Sequence, residues 1–176
     1  MSISFYEMPP VPSDEARRED AVAVSGALDA VGDASLCALV LEAKAFLRAD
    51  VALVSIIHGD YQHIIAAVGL PLGITSRRTS FCGHAVASGE DVFCVPDLDA
   101  DRRFAGNPHV NGDLARYRFY AAAVLHDDTG AALGALCVLA DTPRAALGGA
   151  ERATLVRLGR EVVRRLADLR DESTAD

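Results

Sequence analysis

The sequence predicts an α+β domain in which helices at both ends of the chain pack against an antiparallel sheet. Three observations predict it: apolar residues recur at helical spacing near both termini, β-branched runs fill the middle, and hairpin turn signals separate those runs. With 176 residues, of which 51% are apolar and 24% charged, the chain can bury the core of one domain. We therefore expect a flexible leader over residues 1–12, a single domain over 13–170 and a polar tail over 171–176.

Two helices are predicted after the leader. Ser13 precedes two acidic residues and can cap the first helix, and Gly32 with Asp33 ends it. The narrow apolar stripe of this helix consists of Ala21, Val24, Leu28 and Val31. The broader apolar face of the second helix consists of Leu36, Leu39, Val40, Ala43, Phe46 and Leu47. The second helix is therefore the one expected in the core.

The middle of the chain is predicted to be sheet. β-branched runs flank a Gly-Asp turn at 58–60, and a second turn at 127–130 separates two further strands. Between the hairpins lie a short helix that Ser80 can cap and Gly89 can close, a strand, and a polar loop over 98–115. A loop that crosses a sheet in this way is expected to roof a small-ligand cavity.

The last helix begins near Gly149. Its apolar residues recur at steps of four and three, and they are Leu155, Gly159, Val162, Leu166 and Leu169. Narrow stripes on both terminal helices favour a homodimer contact between helices. The alternative is that each helix lies on the sheet of its own domain.

Charge and composition exclude several classes of protein. The net charge of −8 argues against a nucleic-acid binder, and no segment approaches the ~20 apolar residues that span a bilayer. No signal peptide is visible either, so we expect a cytoplasmic protein with no membrane partner. Seven arginines and three acids over residues 144–170 leave a local charge of +4, which suits a solvated helix face or an acidic partner. The four cysteines lack metal-ligand spacing, and we expect reduced thiols and no metal site.

An ordered run of short motifs resembles a bacterial GAF domain. The motifs are S-F-C-G-H-A-V, V-P-D-x-x-x-D-x-R-F, N-P-x-V, R-F-Y-A and L-G-A-L-C-V, and the similarity, taken with the order of the elements, covers residues 15–170. They look most like the GAF domains that precede histidine kinases and cyclic-dinucleotide enzymes. The resemblance implies a PAS-related fold, with a central antiparallel sheet of about six strands, terminal helices on one face and cavity-forming loops on the other. Ala122 and Val124 stand where family members often have Gly and Pro.

Candidate ligand-binding residues follow from the motifs and the expected cavity. They are Phe81, Cys82, His84, Asp97, Asp101, Arg103, Phe104, Val110, Arg118 and Tyr120. The acids can either hold the loop shut by pairing with arginine, or leave Arg103 or Arg118 free to meet an anionic or carbonyl-bearing ligand. Strand alternation places Arg118 and Tyr120 on one face and Phe119 on the other.

Thiol chemistry is the enzymatic alternative. Cys82 lies in the first turn of its helix, where the helix dipole favours a thiolate, and Cys94 follows twelve residues later. Such a pair resembles the thiols of free methionine-R-sulfoxide reductases built on the GAF fold. However, the loop over 98–116 contains no cysteine, whereas those enzymes carry their attacking cysteine there. We therefore expect no catalytic residue. We also expect no cofactor, since the chain lacks the Cys-His dipeptide typical of a bilin site.

The function that the resemblance implies is a non-catalytic sensory and regulatory domain that takes part in signal transduction. It is expected to bind an unidentified small molecule and to signal through its terminal helices, acting as a homodimer. No output domain follows residue 170, so a separate signalling partner protein is possible.

Overall fold

A six-stranded sheet forms the centre of the computed structural model, which describes residues 5–175. The strands are β1 (Val51–His58), β2 (Tyr61–Val68), β3 (Gly73–Ser76), β4 (Val92–Val95), β5 (Phe119–His126) and β6 (Ala132–Ala140). They lie in the order β3-β2-β1-β6-β5-β4, and all neighbours pair antiparallel. The predicted α+β class, with about six strands in an antiparallel sheet, is confirmed.

Both predicted hairpins form. Gly59, with φ at 56°, and Asp60 connect β1 to β2, so the turn uses the left-handed backbone that glycine adopts without strain. In the second hairpin the Asp127 carboxylate accepts hydrogen bonds of 2.9 Å from the amides of Thr129 and Ala131. Local turn chemistry thus fixes the register of β1 with β2 and of β5 with β6.

Within residues 5–175, five α-helices pack on the two faces of the sheet. They are α1 (Glu15–Ser25), α2 (Ala34–Leu47), α3 (Phe81–Ala87), α4 (Pro108–Asn111) and α5 (Gly149–Thr174). The helices α1, α2 and α5 pack on one face, while α3, α4 and the loop around α4 cover the other. The terminal helices therefore share one face, as predicted. None of the helices between residues 5 and 175 is both long and apolar enough to cross a membrane.

The first helix is shorter than predicted. Asp14, not Ser13, occupies the N-cap, and the helix ends at Ser25 because Gly26 turns left-handed at φ 73°. The predicted stripe therefore does not form one continuous face. Val24 is 70% exposed and Val31 is 56% exposed.

The second helix packs as expected over most of its apolar face. The Asp33 carboxylate accepts a 3.0 Å hydrogen bond from the Leu36 amide and so caps the helix. The residues that it buries are Leu36, Val40, Ala43 and Leu47. Phe46, predicted on the same face, is instead half exposed.

The stripe of α5 packs on the sheet of its own domain. Leu155, Val162 and Leu166 are buried there, and a Cβ at Gly159 would lie 3.1 Å from the Ala123 Cβ of β5. The periodicity that favoured a dimer contact is thus used within one chain, and the homodimer stays a prediction. The helix runs through residues 171–174 of the predicted polar tail, whose last residue, 176, lies outside the described residues.

The leader contains no helix over residues 5–12, and it contacts the cavity face of the domain. The Glu7 amide donates to the Arg103 carbonyl at 2.9 Å, and His84 Nε2 donates to the Glu7 carbonyl at 3.0 Å. Pro9 lies so close to α3 that a Cβ at Gly83 would be 2.8 Å from its Cγ. Residues 1–4 of the predicted flexible leader lie outside the described residues, and its flexibility stays a prediction.

Candidate functional site

A cavity of about 310 Å³ lies between the sheet and the segment that carries α3 and α4. Its floor is formed by strand residues, among them Leu53, Gln62, Ile64, Tyr120, Cys137 and Leu139. Its roof and mouth are formed by Thr79, Ser80, Phe81, Cys82, His109 and Leu114, among others. A larger groove between β4 and α5 is an open surface feature lined by side chains of both charges, so the roofed cavity is the better candidate for a small-molecule site.

Short polar side chains hold the roof in place. Ser80 Oγ accepts from the Gly83 amide at 3.0 Å and donates to the Arg77 carbonyl at 2.7 Å, so it joins α3 to the preceding turn. Asn107 is buried, and its side-chain amide donates to the Thr79 carbonyl at 3.0 Å. The Asn107 carbonyl oxygen accepts from the His109 amide at 2.9 Å and caps α4. One buried asparagine thereby ties α4 to the turn before α3.

Aromatic rings stiffen the wall of the cavity. Phe81 makes a tilted contact with Tyr120 at 5.5 Å and an edge contact with Phe104 at 5.6 Å between ring centroids. The His84 ring lies 4.7 Å from Phe104 on the far side. Aromatic rings with two rotatable bonds lose little entropy on packing, so this wall is a rigid one.

The acidic and basic side chains of the loop pair with each other. Arg103 donates to both carboxylate oxygens of Asp101, at 3.0 and 2.7 Å, and its guanidinium lies 5.0 Å from the centroid of Phe104. These hydrogen bonds outweigh burial and hold the pKa of Asp101 below its usual value. Asp97 accepts from the Asp99 amide at 3.1 Å and closes the turn after β4. The cluster therefore holds the loop shut, the structural one of the two interpretations that the sequence left open.

Arg118 also has a local task. Its Nη1 donates to the Val110 carbonyl at 2.8 Å and to the Tyr117 carbonyl at 3.0 Å, which fixes α4 against the start of β5. Phe119 packs in the core on the helix side and Tyr120 on the cavity side, as the alternation predicted.

The cavity is polar at a few points. Burial lowers the pKa of His109, so its imidazole is neutral at neutral pH. Gln62 Nε2 donates to Thr75 Oγ1 at 3.1 Å, whereas the Gln62 carbonyl oxygen has no hydrogen-bond partner. Among the described residues 5–175, no Asp, Glu, Lys or Arg lines this cavity.

Known proteins resemble this chain in sequence and in fold. No family model matches the sequence. A cyclic di-GMP phosphodiesterase from Pseudomonas aeruginosa is 37% identical over 168 residues, which cover 96% of this chain. The chain spans 28% of the length of that relative.

Solved structures share the architecture at low identity. The GAF domain of a phosphoenolpyruvate-protein phosphotransferase from Coxiella burnetii superposes with a TM-score of 0.65 at 16% identity, covering 90% of this chain and 98% of that one. The chain has a GAF-like fold. The PixJ GAF domain of Thermosynechococcus elongatus, in its blue-light absorbing form, superposes with a TM-score of 0.59 at 18% identity. The match covers 94% of this chain and 96% of that one.

Three of the ten predicted ligand-binding residues line the cavity: Phe81, Cys82 and Tyr120. The other seven lie outside its lining, and they are His84, Asp97, Asp101, Arg103, Phe104, Val110 and Arg118. His84 is directed instead at the leader and the rest support the loop, as described above. Ligand binding by these seven residues stays a prediction.

Several lining residues were missed. Gln62 and Ile64 share one face of β2, and the alternation of a half-buried strand was the available signal for both. His109 lies on α4 within the polar loop, and local spacing does not show that it faces the cavity. No sequence pattern predicts that Tyr117 lines the cavity, because it precedes β5 and the direction of its side chain depends on the path of the loop.

The two cysteines that the structure brings together are Cys82 and Cys137, not Cys82 and Cys94. Cys82 Sγ lies 3.7 Å from Cys137 Sγ, and both side chains line the cavity. Cys94 packs on the helix face of the sheet, where burial raises its pKa. The structure does not bring together Cys82 and Cys94, the pair that the reductase alternative would use, because β4 directs Cys94 away from the cavity. The reductase alternative loses the pair on which it rested.

Proposed function

We propose that this GAF domain is a non-catalytic sensory module. It binds an uncharged, largely apolar small molecule above the sheet and regulates an enzyme of cyclic di-GMP turnover through its terminal helices. The observation that carries the proposal is the cavity of about 310 Å³, whose lining is apolar apart from a few neutral hydrogen-bonding groups.

The lining defines the chemical class of the ligand. A charged ligand would lose its hydration without meeting a counter-ion, a cost that the cavity has no group to offset. The unpartnered carbonyl oxygen of Gln62 suits a ligand with one N–H or O–H donor, and neutral His109 can supply or accept a further hydrogen bond. Cyclic di-GMP carries two phosphates, so we do not expect it to be the ligand.

A chain of contacts leads from the cavity to α1. Thr79 and Ser80, which line the roof, lie two and three residues after Arg77, and Arg77 Nη1 pairs with Glu15 of α1 at 2.5 Å. Arg18 of α1 is buried and donates to the Ile57 carbonyl of β1 at 2.6 Å. A ligand that prefers one position of the turn before α3 would therefore also favour one position of α1.

The output side of the proposal rests on the relative. The matched residues are 28% of a cyclic di-GMP phosphodiesterase, which supports an effect on cyclic di-GMP, exerted in the same polypeptide or on a partner protein. We place the module in the cytoplasm, where this nucleotide acts, and retain a homodimer through the terminal helices as part of the proposal.

Ligand class is testable by thermal unfolding and calorimetry. Indole, a neutral aromatic with one N–H donor, and a panel of similar molecules are titrated against the chain and compared with cyclic di-GMP. We expect neutral compounds to raise the melting temperature in proportion to the logarithm of their concentration, and cyclic di-GMP to leave it unchanged. Saturable binding of cyclic di-GMP, or no neutral binder in the panel, would overturn the assignment.

Two tryptophan variants locate the binding. Ala115→Trp places a large ring at the cavity lining, and Ala150→Trp places the same ring on the exposed first turn of α5. Binding should be lost in the first variant and kept in the second. Equal binding by both would move the site elsewhere. The output is tested separately, by deleting the coding sequence in the source organism and measuring cyclic di-GMP, whose level should change.

A further inference from the structure

We infer that the cavity holds a peroxide-reactive thiol pair, in which Cys82 is oxidised first and Cys137 closes a disulfide with it. This modification site is separate from the binding of a neutral ligand and goes beyond the proposed function. The cavity gives a small oxidant its way in. The chemical class of the substrate is a hydroperoxide.

The geometry of the pair carries the inference. Cys82 comes from α3 in the roof and Cys137 from β6 in the floor, and their sulfurs are 3.7 Å apart. The two residues are only 3% and 1% exposed, yet both line the cavity. A reagent must therefore pass through the cavity to reach them, and large thiol reagents are disfavoured.

The surroundings give the two thiols different roles. Tyr120 Oη donates to Cys82 Sγ at 3.2 Å, and burial raises the pKa of Tyr120 so that it stays a phenol and a donor. Ser55 Oγ is buried beside the pair without a hydrogen-bond partner of its own. Hydrogen bonds from Cys137 and Tyr120 hold the pKa of Cys82 below its usual value, against the effect of burial.

Cys137 is the weaker nucleophile of the two and does not react first. Burial, with its neighbour Cys82, raises the pKa of Cys137 well above the usual value, so it remains a thiol while Cys82 reacts. The sulfur that attacks a peroxide must be the thiolate, since the thiol is a poor nucleophile. The pair thus consists of an attacking and a resolving cysteine.

The reaction balances with a hydroperoxide as the oxidant. The Cys82 thiolate attacks the terminal peroxide oxygen, an S–O bond forms, the O–O bond breaks, and the departing alkoxide or hydroxide takes up a proton. Cys137 Sγ then attacks the sulfenic sulfur of Cys82, the S–S bond forms, and the S–O bond breaks as water leaves with the thiol proton. Two thiols lose two electrons and two protons, and the peroxide gains them.

Closing the disulfide would reshape the cavity. Bonded sulfurs lie about 2.0 Å apart, so the two sulfurs must approach each other by more than an ångström, through side-chain rotation or a shift of α3 against β6. The bond would join residues 55 positions apart in sequence and would hold the roof against the floor. An oxidised domain should therefore bind a neutral cavity ligand more weakly than a reduced one.

Peptide mapping tests the site directly. The reduced full chain is treated with hydrogen peroxide at low excess, free thiols are alkylated, and the disulfides are mapped by mass spectrometry. We expect a Cys82–Cys137 link before any modification of Cys37 or Cys94, and an unchanged result in Cys37→Ser and Cys94→Ser. Oxidation of those two residues first, with Cys82 and Cys137 still reduced, would overturn the inference.

Variants of the pair separate the two steps. In Cys137→Ala the sulfenic acid of Cys82 should persist and be trapped by dimedone. Tyr120→Phe keeps the ring and removes the donor, so peroxide oxidation should slow roughly tenfold at neutral pH. Circular dichroism confirms that each variant is folded. An unchanged rate in Tyr120→Phe, or no dimedone adduct in Cys137→Ala, counts against the roles assigned here. If the chain binds indole but does not form the disulfide, the thiol site is refuted and the proposed ligand binding is not.

Discussion

The two faces of the sheet are built from the same strands but differ in how they are filled. Under α1, α2 and α5 the core is almost wholly aliphatic, with buried leucine, valine and alanine side chains. Under α3 and α4 it contains aromatic rings, two thiols and a hollow of about 310 Å³. The packed face of this domain therefore contributes mainly to stability, whereas the groups suited to binding chemistry lie on the other face.

Alternation along a single strand produces this contrast. On β6, Leu136 packs under the helices while Cys137 and Leu139 line the cavity. Tyr120 and Phe119 divide in the same way on β5. Because successive side chains point to opposite faces, each strand contributes to both functions at once.

The strongest test of the comparison uses two leucines of β6. Leu136→Ala removes a fully buried side chain from the filled face and should lower the free energy of unfolding by about 3 kcal/mol. Leu139→Ala widens a cavity that already exists, and fewer contacts are lost, so we expect about half that effect. Urea denaturation measures both. An equal or larger loss in Leu139→Ala would show that the two faces are packed alike.

The ionic cluster where the two faces meet gives the second test. Burial opposes the charge of Glu15, but hydrogen bonds from Arg18 and Arg77 outweigh it and hold the pKa of Glu15 below its usual 4.5. The ionised carboxylate therefore stabilises the fold above pH 4.5, and this contribution is lost as the pH falls toward the lower pKa of the folded state.

Glu15→Gln should accordingly cost about 1 to 2 kcal/mol at pH 7 and progressively less below pH 4.5. Glu42→Gln is the matched control, because Glu42 pairs with Arg157 on the open surface and should cost less than about 0.5 kcal/mol. Denaturant unfolding of the unmutated protein and the two variants, at pH 7 and at a pH below 4.5, measures these changes in the free energy of unfolding. If the cost of Glu15→Gln did not change with pH, the charge of the Glu15 carboxylate would not be what stabilises the contact between α1 and the turn before α3.

The leader provides the smallest effect and sharpens the description of the cavity face. Gly106 lies against the backbone of Phe5, where a Cβ would overlap it, so Gly106→Ala should release residues 5–12. We expect faster proteolysis within that segment and a loss of about 1 kcal/mol. Gly149→Ala has open space around it and is the control. Unchanged proteolysis in Gly106→Ala would show that the leader contributes nothing to covering this face.

The sequence was most informative where a few neighbouring residues decide the structure. The two hairpin turns, the Ser80 cap of α3 and the alternation at Phe119 and Tyr120 could all be predicted, since each depends on backbone geometry within a few residues. The cap of α1 was misplaced by one residue, a local choice between two neighbouring polar side chains. The loop acids were predicted with their alternative roles, and only the Asp101 to Arg103 pairing decided between them.

By itself the sequence determined the α+β class, the hairpins and the face that most strand residues occupy, because spacing and turn chemistry act locally. The tertiary structure alone decided which distant residues meet. Cys82 faces Cys137 and not Cys94 because β6 lies between β1 and β5, under α3. Likewise Glu15 reaches Arg77 across the end of the first hairpin. Such contacts depend on the order and register of hydrogen-bonded strands, which local spacing does not encode.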